Sequence, residues 1–310
     1  MELDRFFESY LEKHKAGTAG SICEDDYVLS GCIQLYKVTK DMFFKEFVST
    51  YMKDLIDNHG KIKGYKKEKF QTDNLFIGSI LLWLFGETKE DKYRIAAQML
   101  REQLYEHPRT SSGNFIHSVE TPDTFNMEDL YHVEPFYMQY ETEFESKECY
   151  LDIVAQFESA RTYLSGSDLK SIGQYMMALI DTMDVMSPEI FEHYKILERT
   201  FKELTREVLA RRDETAGMFL QDNTMQEQGS LMIGYAIMKA CNLGVLLKEK
   251  YFDIGSGILN AFLEIRLLKK RQVKNCKFPE EDDICMVQEE AGLLMMAYSQ
   301  YKMQNTTKKN

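Results

Sequence analysis

Apolar residues recur at three- and four-residue spacing through nearly the whole chain, the period of helices that bury one face. The pattern predicts helices over residues 3–15, 25–38, 40–57, 73–86, 90–106, 126–145, 148–164, 167–184, 188–212, 227–248, 250–270 and 286–302. Several ends carry the expected punctuation. Thr72 or Asp73 precedes an apolar run, Ser187-Pro188-Glu189 reads as a cap with proline at the first helical position, and Gly60 follows a polar helix end. Val is scarce while Leu, Met, Ala, Glu and Lys dominate, which favours helix over strand.

The segments also differ in kind. Leu75 to Phe85 and Leu231 to Cys241 are apolar on almost every side, whereas Tyr93 to Tyr105 and Tyr194 to Arg211 carry charge on one face and apolar side chains on the other. Enclosed and half-exposed helices thus alternate. Twelve helices in six hairpins are expected to form two concentric layers and close as an all-α (α/α)6 barrel around a central cavity. Periodicity alone leaves a stacked-hairpin solenoid as the alternative. No Gly/Ser/Pro-rich linker interrupts the pattern, so residues 1–310 are expected to form a single domain. The irregular tracts 59–72, 107–125, 213–226 and 271–285 would crowd one mouth of such a barrel, where loops commonly carry function.

Composition narrows the partners. A hydrophobic share of 44% supports a sizeable core in 310 residues, and a formal net charge of −12 argues against nucleic acid, because no basic field exists to displace phosphate counterions. The N-terminus shows no basic stretch followed by an apolar run, and the apolar stretch Leu75 to Phe85 is too short to span a bilayer. A cytoplasmic protein without membrane contact is expected; an oligomer is not indicated. Cys23, Cys32, Cys149, Cys241, Cys276 and Cys285 follow no CxxC spacing, which points to free thiols rather than disulfides or zinc. No Walker loop, GxGxxG, HExxH or GxSxG is present, so neither cofactor nor metal is expected.

Candidate chemistry gathers at His107-Pro-Arg-Thr-Ser-Ser-Gly-Asn-Phe-Ile-His-Ser118 and the following Asn126-Met-Glu-Asp-Leu-Tyr-His-Val-Glu-Pro-Phe136. A histidine, two adjacent carboxylates and aromatic residues surround one loop-to-helix entry. Each has a structural alternative: Asp73 as a helix cap, Glu128 and Asp129 as first-turn carboxylates favoured by the helix dipole, His117 as a loop histidine.

The runs Thr72-Asp-Asn-Leu75, His107-Pro-Arg-Thr-x-x-Gly-Asn-Phe-x-His117 and Leu130-Tyr-x-x-Glu-Pro-Phe136 resemble glycoside hydrolase family 105, the unsaturated rhamnogalacturonyl hydrolases. Met177 to Asp184, Gly229-Ser-x-Met232, Tyr235 to Leu246 and Gly292 to Tyr298 extend the resemblance, in order, from about residue 24 to the C-terminus. It implies an (α/α)6 barrel and an unusual reaction on a small unsaturated oligosaccharide. An acid protonates the C4=C5 double bond of a terminal unsaturated uronic acid, water adds at C5, and the hemiketal opens to release the sugar. Ordinary glycosidases instead divide the work between a leaving-group acid and a second carboxylate.

The resemblance places Asp73 on the first aspartate of the family and His117 on its Phe-Trp-His histidine. The catalytic aspartate of the family's Trp-x-Asp-Gly-Leu-Tyr motif falls on Glu128, with Asp129 in place of the glycine and Tyr131 as the motif tyrosine. Arg-Ser-x-Gly-Trp becomes Lys170-Ser-Ile-Gly-Gln174, losing a forked guanidinium and an indole. The early Trp-x-Tyr-Glu-Asp-Gly pattern reads Ser21-Ile-Cys-Glu-Asp-Asp26, and a long loop of the family is nearly absent at Arg161 to Ser167. The resemblance therefore implies a divergent glycosidase with Glu128, Asp129 and Asp73 as catalytic candidates, and His117, Lys170 and Tyr131 as saccharide contacts. The alternative is a catalytically impaired family member that binds a carbohydrate or a protein.

Overall fold

The computed structural model describes residues 3–13, 25–144, 149–212, 217–222, 224–272 and 287–307. Ser21 to Glu24, Cys23, Cys276, Cys285 and the 271–285 tract beyond residue 272 lie outside them. The described helices are α1 (Leu3–Lys13), α2 (Asp26–Thr39), α3 (Met42–Leu55), α4 (Ile77–Thr88), α5 (Asp91–Glu106), α6 (Met127–Glu143), α7 (Tyr150–Tyr163), α8 (Leu169–Asp184), α9 (Phe191–Leu209), α10 (Glu227–Asn242), α11 (Lys248–Gln272) and α12 (Gln288–Thr307). The only paired strands among the described residues are β1 (Leu220–Gln221) and β2 (Thr224–Met225), an antiparallel pair. All twelve expected helices are present.

Cα packing divides the chain into two compact units, one from segments 1–20, 25–51 and 211–310 and the other from 21–24 and 52–210. In the first, α2 packs on α12, and α12 and α11 pack on α10. Gly31 and Gly292 let α2 and α12 approach closely. A Cβ on Gly292 would lie 2.3 Å from the Tyr27 carbonyl carbon, and one on Gly31 would lie 2.6 Å from Cβ of Met295. In the second unit α4 pairs with α5, α6 with α7 and α8 with α9, while α6 packs against both α4 and α8.

Burial follows the expected alternation. Along α8 the run Ile172 to Ile180 is buried without interruption, and along α10 so is Gly229 to Cys241. By contrast α9 buries only Leu197, Phe201, Leu204, Thr205 and Val208, the three- and four-residue stripe of a half-exposed helix. The half-exposed α5 is tied to α6 by a buried ion pair. Arg101 donates from Nη2 and Nε to Oε1 of Glu141 at 2.6 and 3.0 Å, with both side chains at most 2% exposed. Its guanidinium lies 4.0 Å from the Tyr105 ring centroid and 4.6 Å from that of Tyr137, so aromatic faces share its desolvation.

Helix ends depart from expectation at three places, each for a local reason. Ahead of α4, Thr72–Leu75 forms a 3-10 turn and the helix begins at Ile77, so Asp73 does not cap it. Ser187 to Ile190 forms a turn in which Ser187 Oγ accepts from the Glu189 N–H, and α9 starts only at Phe191. Helix α10 stops at Asn242 instead of continuing to 248. Gly244 takes φ +74°, its N–H reaches the Cys241 carbonyl, and the Val245 N–H reaches that of Ala240, the Schellman closure that ends a helix.

Glycine substitutions should separate close approach from chain entropy. Gly292→Ala is expected to lower stability by about 3 kcal/mol, because the methyl group meets backbone that has no soft escape. Gly86→Ala, on an exposed stretch of α4 with nothing within 4 Å, should instead raise stability by about 0.5–1 kcal/mol. Urea midpoints of the two variants should therefore move in opposite directions.

Candidate active site

The site is built where the 3-10 turn Thr72–Leu75, the loop 107–125 and the start of α6 meet, all within the second unit. The loop is held from below by side chains. His107, buried, has Nε2 2.8 Å from the Ile116 carbonyl and Nδ1 3.2 Å from Nε2 of Gln103. Burial pushes its imidazole down to about 4, so it is neutral at physiological pH. Asn114, fully enclosed, donates to the Gln156 carbonyl and side chain, and Gln156 donates back to the Gly113 carbonyl. Arg109 forks onto both oxygens of Asp152 at 2.9 and 2.8 Å. The hairpin 109–115 is thereby docked on α7.

Main-chain bonds then bring three segments together. The Thr72 N–H donates to the His117 carbonyl, the His117 N–H to that of Thr124, and the Val119 N–H to that of Lys69. On this frame Asp129, 2% exposed, becomes a hub. Its Oδ1 accepts from the Thr72 hydroxyl at 2.6 Å and lies 2.7 Å from Nδ1 of His117, while Oδ2 accepts from the Asn126 N–H at 2.7 Å. Asn126 and Asp129 form a reciprocal capping box at the first turn of α6. The hydrogen bond to Asp129 raises the His117 pKa, with the charges of Asp129 and Asp73 adding to it against desolvation. His117 then has Nδ1 committed and its side chain still 29% exposed.

Asp73 lies beside this cluster with its side chain 41% exposed. Burial raises its pKa, but the hydrogen bond and charge of His132 and the charge of His117 outweigh that, so the net shift is downward and Asp73 is a carboxylate at neutral pH. His132 is 4% exposed; its Nδ1 sits 3.4 Å from Oδ1 of Asp73, and its ring meets Phe76 edge to face at 5.4 Å. Asp73, His117 and Asp129 are the one group among the described residues whose ligand atoms all fall within 4.8 Å, the spacing a metal ion would need. Asp129 and His117 Nδ1 are already engaged with each other, Thr72 and Asn126. That set is therefore a hydrogen-bonded cluster before it is a ligand cage.

The sequence-predicted residues divide accordingly. Asp73, His117 and Asp129 come together. Glu128 is half-buried at the second position of α6, one residue before the hub. Tyr131 is 3% exposed, its ring 5.8 Å from that of Phe76, where it packs under the turn that carries Asp73. Lys170 is half-buried at the second position of α8, after Asp168 caps that helix through the Ser171 N–H. Sequence reasoning passed over His132 and Gln103. His132 stands at i+3 from Asp129 and i+4 from Glu128, a helical spacing that places all three on neighbouring positions of α6.

Comparison with known proteins fits this arrangement. Residues 24–168, which contain the whole cluster, match the family model Glycosyl Hydrolase Family 88. A glycoside hydrolase of family 105 from C. acetobutylicum ATCC 824 superposes at TM-score 0.80 and 22% identity, covering 98% of this chain and 100% of that one. A possible family 105 member from Klebsiella pneumoniae gives 0.75 at 12% identity, covering 98% and 92%. A family 88 glycosyl hydrolase from Bacteroides vulgatus gives 0.67 at 14%, covering 97% and 98%. The neighbours are (α/α)6 barrels, and the chain shares that all-α fold. Residues 24–168 thus resemble the family 88 model, and the solved structures show that the chain shares their fold.

Removing the hub charge should loosen the site in a pH-dependent way. A group whose folded pKa is raised, as for His117, contributes stability below its unfolded value that is lost as pH rises through the folded one. Asp129→Asn is expected to cost about 3 kcal/mol near pH 6 and measurably less near pH 9, followed by urea denaturation. Equal losses at both pH values would show that Asp129 does not hold His117 charged.

Lower on α6, Glu134 is 1% exposed, and among the described residues no donor reaches its Oε2. Burial, reinforced by the Asp152 charge, raises its pKa well above the ordinary carboxylate value. Such a group withdraws stability as pH climbs from the unfolded pKa toward the folded one, because only the unfolded chain ionises freely. Glu134→Gln should therefore raise Tm relative to the parent by a few degrees more at pH 8 than at pH 4.5.

Proposed function

We propose that this protein is a glycoside hydrolase that hydrates the C4=C5 double bond of a terminal unsaturated uronic acid on a small saccharide. What carries the reading is the meeting of Asp73 and His117 at the first turn of α6, where Glu128 also stands, inside the segment that matches the family 88 model. In this reading Glu128 gives its proton to C4, water adds at C5, and a carboxylate takes the water proton, so that one proton is supplied and one recovered. Asp73, ionised and solvent-accessible, assists by accepting a hydrogen bond from that water. His117 presents its remaining nitrogen to the uronate, and Lys170 adds a point charge. Tyr131 supports the floor of the site. The barrel acts as one domain, 1–310, and works in the cytoplasm.

One observation favours a second reading, a barrel that binds without turnover. Both oxygens of Asp129 are occupied by neighbouring donors, so one of the two adjacent carboxylates contributes structure, and the other is a glutamate set one methylene further out.

The test is incubation with unsaturated rhamnogalacturonan and glycosaminoglycan disaccharides while following loss of the double-bond absorbance. Weak turnover is expected with the rhamnogalacturonan substrate. Glu128→Gln should abolish it, and Asp73→Asn should reduce it roughly a hundredfold. Absent turnover, with disaccharide binding retained, would favour the binding barrel. Robust turnover unaffected by Glu128→Gln would remove Glu128 from the reaction.

A further inference from the structure

Phe125 stands between two residues that are pinned to the carboxylate cluster. The Thr124 carbonyl accepts from the His117 N–H, and the Asn126 N–H donates to Asp129. A hydrophobic residue just ahead of a helix cap commonly packs inward on the first turns. Phe125 instead stays half-buried, and its ring meets that of Tyr163 with centroids 5.7 Å apart. Tyr163, the last residue of α7, is 45% exposed, and only residues 164–168 join it to α8. Its hydroxyl hydrogen-bonds Ser112 at 2.5 Å, and the Ser112 carbonyl accepts from Ser159 of the same helix. Two aromatic rings are thus held in place at the surface, on the edge of the loop that builds the site.

We propose that Phe125 and Tyr163 form a stacking wall for the neutral sugar joined to the uronate, a saccharide-binding site beside the carboxylates. The proposal rests on the uronyl-hydration reading of the site. Position supports it first. Phe125 stands three residues before Glu128, a separation of at most about 11 Å along the chain, so a sugar linked to a uronic acid at Glu128 reaches the rings. Chemistry supports it next. A pyranose carries C–H groups on its faces and hydroxyls at its rim, so it covers an aromatic ring while its polar groups stay hydrated. The rings and Ser112 bear no charge, and Asp123 accepts from the Ser111 N–H next to them, so a second acidic sugar would approach a carboxylate here. The wall therefore suits a neutral sugar. Rings already fixed by Ser112 and by the pinned backbone lose little freedom when a ligand lands on them, which favours binding.

The test uses full-length Phe125→Ala, Tyr163→Ala and Tyr163→Phe, with urea denaturation establishing that each is folded. Calorimetry in a Glu128→Gln background reads binding without turnover. Its two ligands are the unsaturated rhamnogalacturonan disaccharide and the methyl glycoside of the unsaturated uronic acid, which lacks the second sugar. Each alanine variant is expected to weaken the disaccharide roughly tenfold and the methyl glycoside by less than about twofold. Tyr163→Phe keeps the ring and should bind both as the parent does. With Glu128 restored, the alanine variants should raise KM for the disaccharide by a similar factor and leave the methyl glycoside unaffected. Unchanged disaccharide affinity, equal weakening of both ligands, or no disaccharide binding at all overturns the proposal. So does a dimer in sedimentation that Phe125→Ala dissolves, which would assign the rings to a second copy of the chain. If the parent hydrates neither ligand, the hydration reading fails, and the calorimetry still decides the wall.

Discussion

The Asp129 carboxylate accepts from the Thr72 hydroxyl and the Asn126 N–H and faces the His117 imidazole, three groups from three segments that are distant or irregular in sequence. A buried carboxylate without such partners is strongly unfavourable, so the three contacts form together or not at all. Their joint formation fixes where the 72–75 turn lies against α6 and where loop 107–125 enters the helix. Everything proposed for the site depends on that placement. Asp73 follows Thr72 directly, and Glu128 precedes Asp129 directly, so both neighbours inherit their position from the hub.

Adjacency on a helix explains how two neighbouring carboxylates take different work. Successive helical residues point about 100° apart, so when Asp129 turns inward to close the capping box, Glu128 is directed elsewhere. A carboxylate with both oxygens hydrogen-bonded is a poor proton carrier, because accepting or losing a proton disrupts its own bonds. Glu128, half-buried, stands one position before that cap. The same division holds for the histidines. His107, neutral and buried, braces the loop, while His117 keeps part of its ring exposed.

The fold was legible because enclosure leaves a direct trace in composition: a helix surrounded by neighbours, such as α8 or α10, is apolar on every side, and one facing water, such as α9, is not. Helix ends were less legible. Asp73 reads as a cap, yet the chain completes a 3-10 turn first and begins α4 with no side-chain cap. The site was legible in membership and not in wiring. Asp73, His117 and Asp129 could be named from motifs, but the Thr72 bond to Asp129 spans 57 positions, and nothing local distinguishes that threonine from a solvent-facing one. His132 was missed for a related reason. On a nearly all-buried helix a histidine looks like one more core residue until the tertiary contact with Asp73 is seen.

Under the hydration reading, rigidity decides what Glu128 and Lys170 do to the chemistry. Loop 107–125 is braced by His107 and by the reciprocal bonds of Asn114 and Gln156, and the adjoining α5 and α6 are joined by the buried Arg101–Glu141 pair. Such a frame has little freedom to retreat when a side chain lengthens. Where a soft loop would absorb the extra methylene of Glu128, this one carries it forward to the acid, and a misplacement of about 1 Å commonly reduces a rate a hundredfold. Under the hydration reading, adjustment must therefore come from the saccharide, seated further from α6 than an aspartate would require. A weaker cation at Lys170 suits that looser seat, since a point charge tolerates displacement that a forked guanidinium does not. Under the same reading, the residues at 128 and 170 both loosen the fit to the sugar, one by the length of its side chain and the other by the shape of its charge.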